Sequence, residues 1–239
     1  MERAYTAVHI EQDRRHWYFR GRLAVLSAVF DRALPRPPCR VVELGCGTGN
    51  VLQTLGRYGE AVGVEHDDGL RALACAAGLD VRKGTLPDDV PLADGWADAV
   101  LLLDVIEHLD DDVAALCAAR RLVRAGGVVI VAVPAYAWLW SAHDVALGHR
   151  RRYTAAALRR RLHAAGLRVE HLGYFNTVLF PAIAVGRLAK RLVRARGHDL
   201  GNPPEAVNRA LASLFALERR FVLRPGLPFG CSVLAIARP

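Results

Sequence analysis

The sequence predicts an α/β fold, in which helices cover both faces of a mostly parallel sheet. Between residues 39 and 174 short apolar segments alternate with helical patterns, and repeated strand–helix units favour parallel strands joined by right-handed crossovers. The run 97–104 is almost continuously apolar, which is typical of a strand buried on both faces. A chain of 239 residues that is 52% hydrophobic can bury a full core.

Each element of this fold has its own local signal. Apolar stretches of four to eight residues indicate strands, and apolar residues three or four apart indicate helices, with glycine or proline at several ends. The predicted strands are 40–45, 61–65, 80–85, 97–104, 128–133, 167–174 and 231–237, and the seventh is expected to be antiparallel to its neighbours. The predicted helices are 23–34, 49–57, 68–77, 111–123, 155–165 and 205–221, with a further helical pattern in 178–194.

Charge and cysteine usage narrow the functional class. The net charge of +8 favours an anionic partner such as phosphate, nucleic acid or a lipid headgroup. Five cysteines lie scattered without metal-ligand spacing, which predicts reduced thiols and neither a zinc site nor a disulfide framework. No signal-peptide core is seen at the N-terminus, and no apolar run reaches spanning length, so we expect a cytoplasmic protein.

The first strand leads into a glycine-rich turn. Gly45, Gly47 and Gly49 stand at every second position, which allows a sharp bend and a close approach of the backbone to a ligand. The spacing is neither the dinucleotide fingerprint nor a P-loop. Glu65 ends the second strand, where a doubly wound sheet places the acid that binds ribose hydroxyls. Glu43 lies inside an apolar strand, where a carboxylate needs a partner.

Three segments together resemble the class I methyltransferases that depend on S-adenosylmethionine (SAM). They are 43–49, 63–65 and 103–109. The resemblance implies a Rossmann-like sheet of seven strands, SAM as the cofactor, and Asp104 beside its methionyl part. Thr85 stands where many relatives have an aspartate, so its adenine contact would use the backbone or the hydroxyl. The implied cofactor-binding residues are Glu43, Gly45, Cys46, Gly47, Gly49, Glu65, His66, Gly84, Thr85, Leu86, Asp104, Val105 and His108.

The same resemblance divides the chain into four parts. Residues 1–38 would form N-terminal cap helices, 39–174 the SAM-binding domain, 175–226 a helical insert, and 227–239 the last strand of the SAM-binding domain. The N-terminal helix covers the cofactor in related enzymes, which suggests that Trp17, Tyr18 and Arg20 lie near the substrate, and that Arg20 or Arg22 reaches the methionyl carboxylate. The alternative is a helix with aromatic anchors packed on the sheet.

The catalytic residues are expected just after the fourth and fifth strands. A hydroxyl acceptor needs a base, and His143 is the first choice, with Asp144 orienting it and His149 as the second choice. Ubiquinone-pathway O-methyltransferases have a similar His-Asp pair, and a bacterial methyltransferase group shares the stretches around 16–22 and 143–154. Trp140, Arg150, Arg151 and Tyr153 would bind the acceptor. Alternatively, the aromatics close the core, the arginines solvate a helix start and the histidines only form hydrogen bonds.

The insert 175–226 departs from the family pattern and leaves its role open. Arg187, Lys190, Arg191 and Arg194 would share one face of its first helix, with Val185, Leu188, Ala189, Leu192 and Val193 on the other. Such a segment could touch a membrane surface through 178–196, cover a hydrophobic acceptor, pack on the core or form a homodimer contact.

The function that these patterns predict is SAM-dependent methyl transfer to a small, hydrophobic or lipid-like acceptor, at oxygen, with a histidine base and with peripheral contact to a membrane. The alternatives are a methyltransferase acting on RNA or another anionic macromolecule, and a non-catalytic SAM-binding, membrane-associated protein. Nucleic acid is not favoured, because strand four ends in Asp104-Val105-Ile106-Glu107 and Asn202-Pro203-Pro204 stands at the wrong place for a base-binding turn.

Overall fold

A computed structural model describes residues 15–192, 203–223 and 226–239. The strands are β1 (Cys39–Leu44), β2 (Gly59–Glu65), β3 (Asp80–Lys83), β4 (Ala97–Leu103), β5 (Val123–Pro134), β6 (Arg168–Phe175) and β7 (Ser232–Arg238). The α-helices are α1 (Trp17–Ala33), α2 (Asn50–Leu55), α3 (Asp68–Ala76), α4 (Asp112–Leu122), α5 (Ala142–Leu147), α6 (Ala155–Ala164), α7 (Phe180–Leu192) and α8 (Glu205–Ala216).

The seven strands form one sheet in the order β3-β2-β1-β4-β5-β7-β6. The pairs β2–β3, β1–β2, β1–β4 and β4–β5 are parallel, and β7 is antiparallel to both β5 and β6. This confirms the predicted fold class, including the antiparallel last strand. The strand order changes direction between β1 and β4, and in open α/β sheets ligands bind in the crevice outside the carboxyl ends at such a point.

Two apolar layers sandwich the sheet. Along β4, Val100 and Leu102 face one layer while Ala99, Leu101 and Leu103 face the other, as the two-residue period of a strand requires. Helices α4 and α6 pack in the first layer, and α1, α2 and α8 pack in the second. The sheet is therefore rigidly held from both sides, which fixes the positions of its strand ends.

Strand β5 begins five residues earlier than the sequence predicts. Val123 leaves helix α4 in an extended conformation and pairs with Ala97, and the register then shifts before Val128 pairs with Ala99. The glycines at 126 and 127 lie inside this irregular stretch, whereas the sequence pattern placed them in a turn before the strand.

Helix α1 begins six residues earlier than predicted. The side chain of His16 accepts a hydrogen bond from the Tyr18 amide and so caps the helix start. The predicted second insert helix ends early, because α8 stops at Ala216 and a short 3-10 turn covers 217–220. The predictions for 1–14, 193–202 and 224–225 fall outside the described residues, as do those for the side chains of 190–192. Within the described parts, no helix has the length and apolar character needed to cross a membrane.

Candidate active site

The glycine turn after β1 exposes its backbone to a cavity. Gly45, Gly47 and Gly49 all have positive φ, at 72°, 54° and 80°, which favours glycine at each position. A Cβ on Gly47 would meet nothing within 4 Å, so its backbone faces open space on the cavity side. A Cβ on Gly49 would lie 2.3 Å from Leu79, so this glycine serves close packing and is not part of the cavity wall.

Glu65 ties the tip of β2 to this turn. Its side chain is buried, and its two oxygens accept hydrogen bonds from the amides of Gly47 at 2.8 Å and Asp67 at 2.9 Å. His66 lies 3.0 Å from the same carboxylate and also lines the cavity. The predicted ribose-binding acid therefore stands directly beside the glycine turn.

Helix α1 is joined to the end of β4 by an ion pair. Arg22 contacts the Asp104 carboxylate at 2.7 Å, and Asp104 has a φ of 59°, in the left-handed region. Burial, followed by the nearby charge of Asp104, raises the pKa of Tyr18 to about 12, so its phenol stays protonated at neutral pH. Arg20 instead pairs with Glu205 at 3.1 Å on the surface and does not line the cavity. The predicted role of Arg20 at the substrate is therefore not supported, and Arg22 takes the cavity position.

These elements surround one large cavity of about 750 Å³ at the carboxyl ends of the strands. Buried Glu43 in β1 and the turn 84–86 after β3 complete the predicted cofactor side. The glycine turn with open space beside it, together with two buried carboxylates, fits SAM. The predicted cofactor residues that line the cavity are Glu43, Gly45, Cys46, Gly47, Glu65, His66, Gly84, Thr85, Leu86, Asp104, Val105 and His108.

The acceptor side is organised around a buried carboxylate. Asp144 is fully buried and contacts Nδ1 of His149 at 2.8 Å and the guanidinium of Arg152 at 2.7 and 3.0 Å. Burial alone would raise the pKa of Asp144, but the hydrogen bonds from His149 and Arg152 hold it well below the usual range. Asp144 is therefore ionised, and it fixes the ring of His149 on the cavity wall.

The expected pairing of His143 with Asp144 is not formed. The Asp144 carboxylate instead accepts the Ser141 amide at 2.8 Å, closing a capping box at the start of α5. His143 lines the same cavity, and its amide donates to the Ser141 hydroxyl at 3.3 Å. Both predicted histidines therefore line the cavity, but the aspartate side chain contacts His149 and not His143.

Several predicted substrate residues have other partners. Arg150 donates to the His108 carbonyl at 2.8 Å and pairs with Asp110, while Arg151 pairs with Asp112 at 3.2 Å. Tyr153 is buried, and its hydroxyl donates to Asp112 at 2.9 Å. These contacts tie the segment 150–153 to the loop after β4 and to the start of α4. Arg150, Arg151, Tyr153 and Trp140 do not line the cavity, whereas Trp17 and Tyr18 do, as predicted.

Asn176 is a cavity residue that the sequence patterns missed. It directly follows β6 with a φ of 57°, is buried, and neither atom of its amide has a hydrogen-bond partner among the described residues. An unpaired buried amide costs about 1–3 kcal/mol, so its retention points to a role with a ligand. The tolerance of asparagine for left-handed backbone was the available signal. Ser232 and Cys231, at the start of β7, line the cavity beside it and were also missed.

His149 also belongs to a second group of polar side chains, with Glu107 and His108. Ligand atoms of Glu107, His108 and His149 all lie within 4.8 Å of one another, a spacing at which side chains can hold a metal ion. The rings of His108 and His149 meet edge to face at 4.7 Å. Burial, followed by the charge of Asp104, raises the pKa of Glu107, and burial, followed by His149, lowers the pKa of His108 to about 4. Both groups are therefore held towards their neutral forms.

Comparison with known proteins agrees with this geometry. A family model described as a methyltransferase domain matches residues 15–172. A probable S-adenosylmethionine-dependent methyltransferase of Mycolicibacterium smegmatis is 31% identical over 67% of this chain and 63% of its own length. A ubiquinone biosynthesis O-methyltransferase of Cereibacter sphaeroides is 32% identical over 44% of this chain and 47% of its own length. The chain therefore spans between about half and two thirds of these curated relatives.

Solved structures show the same fold at low sequence identity. A SAM-dependent methyltransferase from Thermotoga maritima superposes with a TM-score of 0.62 at 21% identity, covering 98% of this chain and 97% of that one. A SAM-dependent methyltransferase from Archaeoglobus fulgidus gives a TM-score of 0.60 at 18% identity, covering 97% of this chain and 99% of that one.

Proposed function

The chain belongs to the methyltransferase-domain family, and on that basis we propose that it transfers a methyl group from SAM to a hydroxyl of a small, hydrophobic acceptor. The observation that carries the proposal is the Asp144–His149 pair, which stands on the wall of the same cavity as the glycine turn and Glu65. One cavity thus holds a nucleotide-binding side and an oriented histidine.

The cofactor side fits the parts of SAM. The glycine turn and Glu65 would hold the nucleoside, while Asp104 and Arg22 would hold the methionyl part. When bound, SAM supplies a methyl group already activated by its sulfonium. The chain must therefore mainly align the acceptor and keep water away, and alignment of this kind can contribute much of the rate.

The acceptor side supplies a proton acceptor. Nδ1 of His149 is engaged by Asp144, so Nε2 is the ring nitrogen left for the acceptor hydroxyl. A positioned base of this kind typically contributes about 10² to 10⁴ in rate. The orphaned amide of Asn176 would bind a second oxygen of the acceptor, which would recover the cost of its burial.

Two observations support a small, hydrophobic acceptor over an anionic macromolecule. Arg150 and Arg151 pair with Asp110 and Asp112 and do not line the cavity, so the cavity does not present them to an anionic acceptor. The acceptor side of the cavity is flanked by Trp17, Leu147 and Ile183. The ubiquinone biosynthesis O-methyltransferases among the relatives further support methylation at oxygen.

The test uses methyl-labelled SAM with lipid and aqueous fractions of a host extract. We expect label to enter a lipid-soluble product as an alkali-stable methyl ether, which separates methylation of a hydroxyl from methylation of a carboxylate. Label entering only RNA or only polar metabolites would overturn the proposed acceptor class. Binding of SAM without any labelled product would favour the non-catalytic alternative.

A further inference from the structure

The outward face of helix α7 is apolar over residues 180–189, the part of the helix whose side chains the structure describes. The exposed residues between 181 and 189 are all apolar or glycine: Pro181, Ala182, Val185, Gly186, Leu188 and Ala189. Val185 is 66% exposed and Leu188 is 45% exposed. A helix on the surface of a soluble domain normally presents the opposite pattern, with its apolar stripe towards the core.

The polar residue of this stretch points inward. Arg187 donates to the Leu139 carbonyl at 2.8 Å and lines the cavity, together with Ile183 on the same helix. Among residues 180–189, whose side chains the structure describes, the charged residue Arg187 therefore faces the protein, while the exposed residues are apolar or glycine. The exposed face is therefore apolar although the helix contains a charged residue.

Aromatic residues extend this face at the start of the helix. The ring of Phe180 packs between Trp138 at 5.8 Å and Phe229 at 5.6 Å. Trp138 is 45% exposed and Phe229 is 42% exposed. We name Trp138, Phe180, Val185, Leu188 and Phe229 the α7 patch. Apolar patches of this kind on a protein surface usually mark an interaction site.

The charge of the surrounding segment decides between partners. Residues 175–226 contain nine Lys or Arg and three Asp or Glu, of which Glu218 is buried. Six of the eight excess positive charges of the chain thus lie in this segment. A second copy of the chain would bring the same positive charge against it, whereas an anionic lipid surface would attract it. Tryptophan at the edge of the patch also suits the membrane–water interface.

We propose that the α7 patch docks on an anionic lipid bilayer, with helix α7 lying in the plane of the interface. The apolar side chains would enter the boundary between headgroups and acyl chains, and the basic residues of 175–226 other than the inward-facing Arg187 would remain at the headgroups. A second step rests on the proposed function: because Ile183 and Arg187 line the cavity from the inner side of α7, a lipid-like acceptor would enter beside this helix.

The test is co-sedimentation of the full chain with vesicles of phosphatidylcholine alone and of phosphatidylcholine mixed with phosphatidylglycerol. We expect binding to the mixed vesicles that weakens with added salt, and much less binding to phosphatidylcholine alone. Leu188→Asp should weaken binding roughly tenfold or more, since it replaces an apolar side chain of the interface with a charge that anionic headgroups repel. Leu73→Asp is the matched control, because Leu73 is 47% exposed but lies on helix α3.

Three outcomes would overturn the docking proposal. They are a wild-type chain that stays in the supernatant with anionic vesicles, equal binding by wild type and Leu188→Asp, and a stable dimer in light scattering that Leu188→Asp converts to a monomer. Calorimetry with SAM separates this from the proposed function, because both aspartate variants should bind SAM as the wild type does. A variant that loses vesicle binding but still binds SAM is impaired at the α7 patch alone.

Discussion

At the scale of single residues, Glu65 makes the clearest prediction for the cofactor. Its carboxylate already holds the Gly47 amide, and it stands where ribose hydroxyls bind in doubly wound sheets. Glu65→Gln keeps the shape and removes the charge, so SAM should bind about tenfold more weakly or worse, since hydrogen bonds to charged groups contribute about 1.5–3 kcal/mol.

Isothermal titration with SAM measures this change. Glu60→Gln is the control, because Glu60 lies near the start of the same strand and is exposed. The ribose assignment fails if Glu65→Gln binds SAM as tightly as Glu60→Gln does while both proteins remain folded.

His108 predicts how stability depends on pH. Burial, followed by His149, lowers its pKa to about 4, against about 6.5 in an unfolded chain. Between these values the unfolded state binds the extra proton, so the free energy of unfolding should fall by up to about 3 kcal/mol as pH drops from about 6.5 to about 4. Urea unfolding across this range should show a smaller loss in His108→Gln.

His163→Gln serves as the control for this pH series, because His163 is exposed on α6. If wild type, His108→Gln and His163→Gln lose stability in parallel on acidification, His108 is not the group responsible.

The catalytic pair shows what residue patterns can and cannot predict. The sequence pattern singles out His143, Asp144 and His149, and both histidines line one cavity in the structure. It does not show which histidine meets the aspartate. Neighbouring residues on a helix do not face each other, so Asp144 cannot orient His143, whereas Gly148, with a φ of 74°, turns the chain back and returns His149 to Asp144.

At the scale of elements, contacts between α1 and α8 hold one wall of the cavity in place. The amide of Trp17 donates to Asn208 at 2.6 Å, and Asn208 in turn donates to the Arg15 carbonyl at 2.6 Å. Gly21 lies against the fully buried ring of Phe215. Because Tyr18 and Arg22 are carried by α1, the packing of the insert reaches the cofactor side of the cavity.

A methyl group at Gly21 tests these contacts between α1 and α8. In Gly21→Ala the new Cβ would lie 2.6 Å from the Phe215 ring, which should cost about 1–3 kcal/mol of stability through overpacking, in spite of the better helix propensity of alanine. SAM affinity should also fall, because Arg22 shifts with the helix. Chemical denaturation and SAM titration measure both effects.

Gly56→Ala is the matched control for Gly21→Ala, because a Cβ at Gly56 meets nothing within 4 Å. Equal stability of the two alanine variants would show that Phe215 yields easily and that α1 and α8 are not tightly coupled.

The order of elements was predictable, but the orientation of α7 was not. Strand and helix periods give each element along the chain, and alternating units give a parallel sheet. An amphipathic pattern shows that a helix has two faces without saying which one meets the protein. In α7 the hydrogen bond from Arg187 to Leu139 and the cavity behind it place the apolar side outward, and such contacts between distant segments leave no local pattern.

At the scale of the whole molecule, the cavity joins parts that are far apart in the chain. Residues from α1, the glycine turn, the ends of β4 and β6 and the start of β7 meet around it. A ligand that fills the cofactor side should therefore stabilise the fold as a unit. At about 100 times its dissociation constant, S-adenosylhomocysteine should add about 2.7 kcal/mol, or about 5 to 10 °C in melting temperature. A shift with adenosine but none with S-adenosylhomocysteine would place the methionyl part elsewhere.

The central claim is that His149, held by Asp144, receives the proton of the acceptor. The most direct measurement compares methyl transfer from labelled SAM into the lipid fraction by wild type, His149→Asn and His143→Asn. We predict that His149→Asn loses about 100-fold or more in turnover and binds SAM as the wild type does, while His143→Asn keeps most of its activity. Near-normal turnover in His149→Asn, with a large loss in His143→Asn, would contradict this assignment and restore His143 as the base.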